Sequence, residues 1–516
     1  MQVIIDWITR VFWQDPAVCF RGASEFADYV GCVNGIIWSE ALVFLCLGAG
    51  LFFSILTRFA QVRHFKEMLR LLFSNKESDQ GISSFQALAV SLSGRVGTGN
   101  IAGVAAAIGF GGPSAVFWMW VVAFLGASTA YIESTLGQIY KEEDEGQYRG
   151  GPAYYIEKAM GQKWYAWIFA IVTIIAVGAL LPGVQSNSIG NAAELAFGGE
   201  STVDFLGDTI PLAKMVTAIG VVAILGFIIF GGVKRIAHFT QIVVPFMALG
   251  YILIALGVIL YHFAELPRIF ELIMKDIFTP MAGFGAAIGW GVKRGVYSNE
   301  AGQGTGPHAA AAAEVDHPAQ QGLVQAFSVY VDTLFVCSAT AFMILITQQY
   351  YVTDLSAEIS GGMLASDISA NSPAFTQLAL ESVMGAAGKI FVAIALFFFA
   401  FTTLLAYYYI AETNVAYIRR TIRFPGELVV LKLVLMTSVF YGTVRSADLA
   451  WALGDIGVGL IALLNIIGIL ILFFMGSPAI KALRDYEKQK NAGVEKYTFD
   501  PEALGIRNAD FWNKQQ

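Results

Sequence analysis

The chain has 516 residues, of which 56% are hydrophobic and only 14% are charged, and its mean hydropathy is +0.62. Soluble domains carry roughly 25% charged residues, so this composition excludes an ordinary soluble protein. Apolar stretches of roughly 20 residues or more, the length that spans a bilayer, recur along the chain and indicate an all-α polytopic membrane protein. The net charge of −7 says little about partners, because in such a protein the placement of charges matters more than their sum.

The N-terminal segment shows no cleavable signal peptide. Over residues 1–14, Asp6 and Arg10 are interleaved with Val, Ile and Trp at near-helical spacing, which favours an amphipathic interfacial helix. The four cysteines form no CxxC pair and no Cys/His group with metal-ligand spacing. Cys19 and Cys32 share the N-terminal segment, and the sequence leaves a disulfide between them open.

Hydropathy, interrupted at charge clusters, Gly and Pro, predicts eleven membrane spans. In chain order they cover residues 35–57, 83–110, 113–140, 165–192, 211–231, 236–262, 281–303, 320–347, 386–413, 428–446 and 449–475. An odd number of spans places the termini on opposite sides. Lys and Arg are about four times as frequent in the segments that become cytoplasmic when the N-terminus lies outside. We therefore expect an external N-terminus and a cytoplasmic C-terminus.

The second span contains a polar interruption over residues 93–103. Four glycines, Arg95 and Asn100 interrupt one apolar run, and each glycine costs a helix interior roughly 1 kcal/mol relative to alanine. The helix is therefore predicted to break there. A broken helix at bilayer depth is tolerated only where its freed backbone groups face a cavity, a ligand or other protein, so this break is a candidate binding site.

A break of this kind offers partners for both ends of a zwitterion. The half-helix that resumes after the glycines presents N–H groups and positive dipole charge, which suit a carboxylate, and the carbonyls that end the preceding half-helix suit an ammonium. The substrate-binding candidates are Gly97, Thr98, Gly99 and Asn100. The alternative is a glycine-lined helix crossing. Arg95 is kept only as a gating or coupling candidate.

The pattern R-x-x-x-x-N-x-A-G occurs twice, over residues 95–103 and, 199 residues later, over residues 294–302. The two copies lie in the second and seventh spans, which cross the membrane in opposite directions, as inverted-topology repeats require. The predicted organisation is a five-plus-five inverted-repeat transporter fold with one extra N-terminal helix. Its parts are an external segment (1–34), a peripheral helix (35–57), the first repeat (83–262), the second repeat (281–475) and a cytoplasmic tail (476–516), which is expected to be solvated surface.

The seventh span holds three charges within eight residues, and these cannot face lipid. Trp290 is expected to close over a small substrate and Asn299 to contribute to the site. Glu300 is expected to pair with Lys293 or Arg294. The alternative is that the charged residues lie in a cytoplasmic vestibule and act only as a gate.

Three further spans carry polar candidates. Gln185 in the fourth span is a substrate-binding candidate, and Asp332 in the eighth is an intramembrane acid and hence a coupling candidate. Thr402 and Thr403 in the ninth span have hydroxyl oxygens, which are ligands suited to Na⁺. The alternative for this pair is that each hydroxyl only bonds the carbonyl one turn earlier in its own helix.

Sequence motifs for catalysis are absent: there is no P-loop, no HExxH and no GxSxG nucleophile elbow. A membrane enzyme is therefore disfavoured. Without a nucleotide site, the driving force must come from an ion gradient, or transport must be passive.

Several stretches resemble the alanine or glycine:cation symporters of the amino acid-polyamine-organocation superfamily. They are SGRVGTGNIAGVAAAIGFGGPSAVFWMW (93–120), GGPAYYIE (150–157), LPGVQSNSIGNA (181–192), GWGVKRGVYSNEAGQGTGPHAAAAA (289–313) and FDPEALGI (499–506). The resemblance implies an eleven-helix inverted-repeat symporter that takes up alanine or glycine with Na⁺. By position, it implies that Gln185 and Trp290 wall the pocket and that Thr402 and Thr403 help bind Na⁺.

The expected partners are thus alanine or glycine, Na⁺ and the lipid bilayer of a bacterial inner membrane. No nucleic acid and no cofactor besides the coupling ion are expected, and the oligomeric state stays open. The alternatives are a cation-coupled symporter of another small solute, such as another amino acid or a nucleobase, and a passive channel.

Overall fold

The computed structural model describes residues 19–514, except for residues 21–22, 24, 74–80, 206, 232, 276, 278–282, 354–361, 365–367 and 424. The interfacial helix predicted over residues 1–14 lies outside the described residues. Cys19 and Cys32 form the disulfide that the sequence left open. Cys46 and Cys337 are free and buried.

Nine helices in the described part of the chain are long and apolar enough to cross a membrane. They cover Phe26–Leu56, Ala115–Ile139, Lys163–Phe197, Leu212–Ile229, Arg235–Tyr261, Pro318–Thr347, Ala386–Arg419, Glu427–Val444 and Ala447–Phe474. The chain is thus a polytopic helical membrane protein. Its first candidate span begins at Phe26, before the predicted start at residue 35.

The helices of the first half begin with the candidate span near the N-terminus. They are α1 (Phe26–Ile37), α2 (Glu40–Leu56), α3 (Ala60–Arg63), α4 (Phe65–Leu72), α5 (Ser84–Arg95), α6 (Ala102–Gly111), α7 (Ala115–Ile139), α8 (Pro152–Met160), α9 (Lys163–Ile175), α10 (Leu181–Phe197), α11 (Leu212–Ile229) and α12 (Val233–Tyr261). A π-helical turn, Ala176–Leu180, joins α9 to α10.

The helices of the second half follow a short connecting helix, α13 (Leu266–Lys275). They are α14 (Gly283–Asn299), α15 (Gly306–Ala312), α16 (Pro318–Val329), α17 (Ser338–Thr347), α18 (Ala374–Met384), α19 (Ala386–Arg419), α20 (Glu427–Val444), α21 (Ala447–Phe474), α22 (Pro478–Asn491) and α23 (Asp510–Asn513). A π-helical segment, Tyr330–Cys337, joins α16 to α17.

Two β-hairpins depart from the all-α prediction. Strand β1 (Glu142–Asp144) pairs antiparallel with β2 (Gln147–Arg149), and β3 (Thr202–Phe205) pairs with β4 (Asp208–Pro211). In the first hairpin both turn residues, Glu145 and Gly146, have positive φ, as a two-residue turn between twisted strands requires. The hairpins lie in connecting segments, between helices.

Helix α7 lies at the centre of the contact between the two halves. It packs against α14, α15 and α16, all from the second half of the chain. Small residues permit this close approach: a Cβ built on Gly126 would lie 2.8 Å from Ala301 Cβ, and one on Gly137 would lie 2.8 Å from the Pro307 carbonyl oxygen. The two halves are therefore interlocked around the helix breaks.

The C-terminal tail is not the solvated segment that the sequence suggested. Six residues of α22 are buried against the end of the bundle: Pro478, Ala479, Ile480, Ala482, Leu483 and Tyr486. Lys490 forms an ion pair with Glu67 of α4 at 3.1 Å, and Trp512 Nε1 donates to the Gln138 carbonyl of α7 at 2.9 Å. The tail departs from the prediction because its apolar stripe has partners on elements distant in sequence.

Candidate functional site

The first predicted helix break is confirmed. Helix α5 ends at Arg95, a single 3₁₀ turn covers Thr98–Asn100, and α6 begins at Ala102. Side-chain amides satisfy the backbone inside the break: Gly97 N–H donates to Asn100 Oδ1 (2.8 Å), and Thr98 N–H donates to Gln185 Oε1 (3.0 Å). The structure thus brings Gln185, from α10, to the break as one of its direct partners.

Two glycines of the break are needed for close packing. A Cβ built on Gly99 would lie 3.0 Å from Ser298 Cα of α14. One built on Gly97 would collide with Thr403 Oγ1 and lie 2.9 Å from Gln185 Oε1. The break is therefore enclosed by α14 on one side and by α10 and α19 on the other.

Asn100 ties the first break to the second half of the chain. Its Nδ2 donates to Asp332 Oδ1 at 2.6 Å and approaches the Asp332 carbonyl at 3.2 Å. Ser298 Oγ donates to the same carboxylate at 3.1 Å, and Thr333 Oγ1 donates to its other oxygen at 2.7 Å. All four side chains are buried. Asp332 therefore holds the first break through hydroxyl and amide side chains.

The second break lies between α14, which ends at Asn299, and α15, which begins at Gly306. Asn299 Oδ1 accepts from Ala301 N–H at 3.0 Å. The Glu133 carboxylate of α7 accepts from Gly302 N–H (3.2 Å) and Gly304 N–H (3.0 Å). A carboxylate thus contacts the second break's backbone directly.

A carboxylate from each half therefore lies at the break of the other half and accepts hydrogen bonds there. Glu133, on the helix after the first break, binds the second break, and Asp332, on the helix after the second break, binds the first. The two residues are separated by the same 199-residue offset that relates the breaks. The flanking sequences, Tyr-Ile-Glu-Ser at 131–134 and Tyr-Val-Asp-Thr at 330–333, also correspond. Extending the repeat comparison beyond the breaks would have paired these acids.

The expected pairing of Glu300 with Lys293 or Arg294 is wrong. Arg294 instead forms a two-pronged ion pair with Asp455 of α21 (2.8 and 3.3 Å), and Lys293 Nζ lies 2.7 Å from the same carboxylate. Both bases are on the face of α14 that meets α21, whereas Glu300 follows the helix end. Asp455 was missed, although an acid two turns inside the apolar α21 is a signal by itself.

Trp290 lies away from the first break. Its ring stacks on Phe110 near the end of α6, with 4.5 Å between centroids, and Lys293 Nζ lies 5.0 Å from its centroid. Eight residues of helix separate it from Ser298, or roughly 12 Å. The aromatic residues nearer the break are Tyr297 and Trp451, whose ring centroids are 5.0 Å apart.

Arg95 is fully buried and faces the second half. Its Nη1 donates to the Gln325 carbonyl at 3.0 Å and to the Ser328 hydroxyl. Among the described residues its Nε and Nη2 have no hydrogen-bond partner. The carboxylates of Glu300, Glu133 and Asp332 lie near enough to interact with it electrostatically. Arg95 is thus the cation shared by three buried acids.

Thr402 and Thr403 point in different directions. Thr403 Oγ1 donates to the Phe399 carbonyl (3.0 Å) and faces Gly97 in the break. Thr402 Oγ1 donates to the carbonyls of its own helix and lies 3.9 Å from Met247 Sδ of α12. Of the pair, only Thr403 lies at the break.

A pair of buried helix breaks within a polytopic bundle is typical of secondary transporters, which bind substrate and coupling ions at such breaks. The chain matches the sodium:alanine symporter family over residues 23–501 and belongs to it.

Relatives with assigned names agree with this membership. YrbD of Bacillus subtilis (strain 168), named as a candidate sodium/proton-dependent alanine carrier, is 56% identical over 495 residues, or 95% of this chain and 98% of YrbD. A sodium/proton-dependent alanine carrier of Bacillus sp. (strain PS3) is 48% identical over 451 residues, which are 86% of this chain and 97% of the carrier. The sodium/alanine symporter AgcS of Methanococcus maripaludis is 36% identical over 482 residues, which are 91% of this chain and all of AgcS. The family and these relatives are transporters, not enzymes.

Proposed function

We propose that this chain is a symporter that imports alanine, and the smaller glycine, together with Na⁺ by alternating access. The observation that carries the proposal is the chemistry of the first break. Two of its backbone N–H groups are held by the neutral amides of Asn100 and Gln185, which a substrate carboxylate can displace. Beside them, the buried Thr98 hydroxyl has no partner among the described residues.

The substrate site comprises Gly97, Thr98, Gly99, Asn100 and Gln185. The glycines bring backbone N–H groups within reach of a small ligand, and the positive end of α6 favours its carboxylate. Gly99 packs directly against Ser298, so a bulky residue there would separate α6 from α14 as well as block the site. Trp290 is assigned to the entrance of the site, on the side of its α14 neighbours Lys293 and Arg294.

The proposed architecture counts each broken helix as one span. Residues 84–111 and 283–312 then join the nine continuous spans to give eleven, in two inverted five-helix halves. This architecture is supported by the 199-residue offset, which separates the two breaks and also separates Glu133 from Asp332. The excess of Lys and Arg in alternate connecting segments favours an external N-terminus and a cytoplasmic C-terminus in a bacterial inner membrane.

The coupling Na⁺ is proposed to bind at Thr403, with Thr402 as its neighbour on the same helix. Thr403 Oγ1 donates its hydrogen to the Phe399 carbonyl, so its lone pairs stay free on the side of Gly97. Gln185 Oε1 supplies a second oxygen there. Oxygen ligands suit hard cations. No cofactor besides this ion is proposed.

The Arg294–Asp455 pair is proposed as the outer gate. With an external N-terminus, α14 runs inward, and Arg294 precedes the break. Asn299, at the end of α14, and Asp332 transmit the movement of the breaks, since each joins a break to the π-helical segment of the second half.

Uptake into proteoliposomes tests this function. The purified protein should accumulate labelled alanine against its gradient only when an inward Na⁺ gradient is imposed. Unlabelled glycine should compete, whereas a nucleobase or choline should not. Uptake that equilibrates without accumulation would indicate a passive channel, and competition by a nucleobase or choline in place of amino acids would indicate another solute.

A further inference from the structure

A small cavity lies one turn along α19 from Thr403, between α5, α15 and α19. It is lined by Ser91, Gly94, Glu300, Thr305, Gly306 and Ala406 among others. Its interior has room for about one water-sized sphere. That space fits a dehydrated monovalent cation and excludes an amino acid.

Glu300 directs its carboxylate toward this cavity. Among the described residues, Thr305 Oγ1 donates the one hydrogen bond to it, at 2.9 Å. A Cβ built on Gly94 would lie 3.1 and 3.4 Å from the two carboxylate oxygens, so the acid is pressed against the last turn of α5. The backbone of Glu300 is left-handed (φ +57°), a conformation that is unfavourable for a residue other than glycine. The surrounding structure therefore fixes an incompletely bonded carboxylate in this position.

Ser91 provides an independent indication of a ligand. Its side chain is only 4% exposed, lines the same cavity, and its Oγ has no hydrogen-bond partner among the described residues. A buried hydroxyl without a partner is costly. The last carbonyls of α5 carry the negative end of the helix dipole, and Ser91 and Gly94 of this part of the helix line the cavity. The cavity thus presents hydroxyl and carboxylate oxygens.

The charge balance around the cavity favours a cation. Arg95 is the cation that faces Glu300, Glu133 and Asp332, and its guanidinium donates to Gln325 and Ser328 rather than to any of these carboxylates. An ionised carboxylate at this depth needs a partner cation, and Arg95 hydrogen-bonds to none of the three.

We propose that Glu300, Ser91 and Thr305 form a second Na⁺ site, one helical turn from the Na⁺ at Thr403, so that two Na⁺ accompany each substrate molecule. The proposal rests on the proposed symport. The second site extends the proposed symport by assigning the ligands of an additional Na⁺ and a ratio of two Na⁺ to one substrate molecule.

The test compares ion and substrate fluxes in proteoliposomes that contain the full-length protein. Wild-type protein should show two labelled Na⁺ per alanine and a sigmoidal Na⁺ dependence. Glu300→Gln keeps the size of the side chain and removes the charge, so it should transport one Na⁺ per alanine with a hyperbolic dependence. Loss of a metal-site group typically weakens affinity about 10–100-fold, so the Na⁺ concentration that half-fills this site should rise at least about tenfold, and the site should stay largely empty at concentrations that saturate the wild type.

A matched serine pair controls for indirect effects. Ser91→Ala should also raise the half-saturating Na⁺ concentration. Ser93→Ala should not, because the Ser93 hydroxyl already donates to the Val90 carbonyl at 2.6 Å. Binding of labelled Na⁺ to purified protein without alanine gives a second readout, in which the wild type should bind two ions and Glu300→Gln one.

Wild-type Na⁺ stoichiometry in Glu300→Gln would overturn the second site. So would a variant in which only the pH dependence of uptake changes, because the carboxylate would then carry a proton. Absence of Na⁺-driven uptake by the wild type is a different result, which contradicts the proposed symport itself.

Discussion

The two helix breaks share a sequence pattern but are held by different chemistry. In the first break, neutral amides accept from Gly97 N–H and Thr98 N–H. In the second, the Glu133 carboxylate accepts from Gly302 N–H and Gly304 N–H. Hydrogen bonds to a charged group are roughly twice as strong as those between neutral groups. The difference indicates that the second break is fixed by the protein and that the first can exchange its partners for a ligand.

The largest expected effect follows from removing the acid that fixes the second break. Glu133→Leu leaves Gly302 N–H, Gly304 N–H and one hydrogen of the Asn465 amide without an acceptor, the amide keeping its bond to the Gly302 carbonyl. Each buried donor left unsatisfied costs about 1–3 kcal/mol, and this change leaves three. Thermal unfolding in detergent, followed by size-exclusion chromatography, should show a strongly lowered melting temperature. A melting temperature equal to that of the wild type would contradict the structural role of Glu133.

The corresponding change at the first break should act on transport more than on stability. Gln185→Leu removes the acceptor of Thr98 N–H, and an amide left unsatisfied costs about 1–3 kcal/mol. The half-saturating alanine concentration should rise about tenfold or more, measured by uptake at saturating Na⁺, while the melting temperature falls less than in Glu133→Leu. Unchanged alanine affinity would place the substrate elsewhere.

A smaller effect separates the two threonines of α19. Thr403→Val should raise the half-saturating Na⁺ concentration, because the side chain that faces Gly97 loses its oxygen. Thr402→Val is the matched control, since its hydroxyl lies beside Met247 and donates within its own helix. Na⁺ titrations of alanine uptake measure both. Equal shifts in the two variants would mean that the hydroxyls act through helix packing.

The breaks were predictable from sequence because their cause is local. Glycines, an Arg and an Asn inside an apolar run are incompatible with a continuous lipid-facing helix, and the repeated pattern marked both positions. The same 199-residue offset also relates Glu133 to Asp332. Comparing the two repeats over a longer stretch of sequence would therefore have predicted that each of these carboxylates has the same role in its half of the chain.

The partners of the charged residues were not predictable, because they depend on helix rotation and on contacts between distant segments. Arg294 and Asp455 are separated by 161 residues, and nothing in either helix specifies the pairing. Trp290 lies on Phe110 instead of at the break because two turns of α14 intervene. Thr402 and Thr403 are equivalent in sequence, and only the orientation of α19 distinguishes them.

The smallest expected effect concerns the tail, which contacts the helices that carry the two exchanged carboxylates. Trp512 bonds to the end of α7, and Asp485 lies 3.3 Å from His317 at the start of α16. The tail is held in part by Glu67. Burial raises the pKa of this carboxyl, but hydrogen bonds from Arg70, Tyr486 and Lys490 outweigh burial and lower the pKa to about 2.

Because this pKa is lowered in the folded protein, the stabilisation from Glu67 is present above about pH 4.5 and is lost as the pH falls toward 2. Glu67→Gln should reproduce the acid state at neutral pH and increase hydrogen exchange of α22, with the exposed Glu495→Gln as control. Pepsin should cleave the tail of the variant at a higher pH than that of the wild type.

Loosening the tail should raise hydrogen exchange at both breaks alike, since the tail contacts α7 and α16. The loss of Glu133, in contrast, should raise hydrogen exchange chiefly at residues 300–305. Exchange confined to one break after loosening of the tail would show that the two carboxylate-bearing helices are not held together from this end.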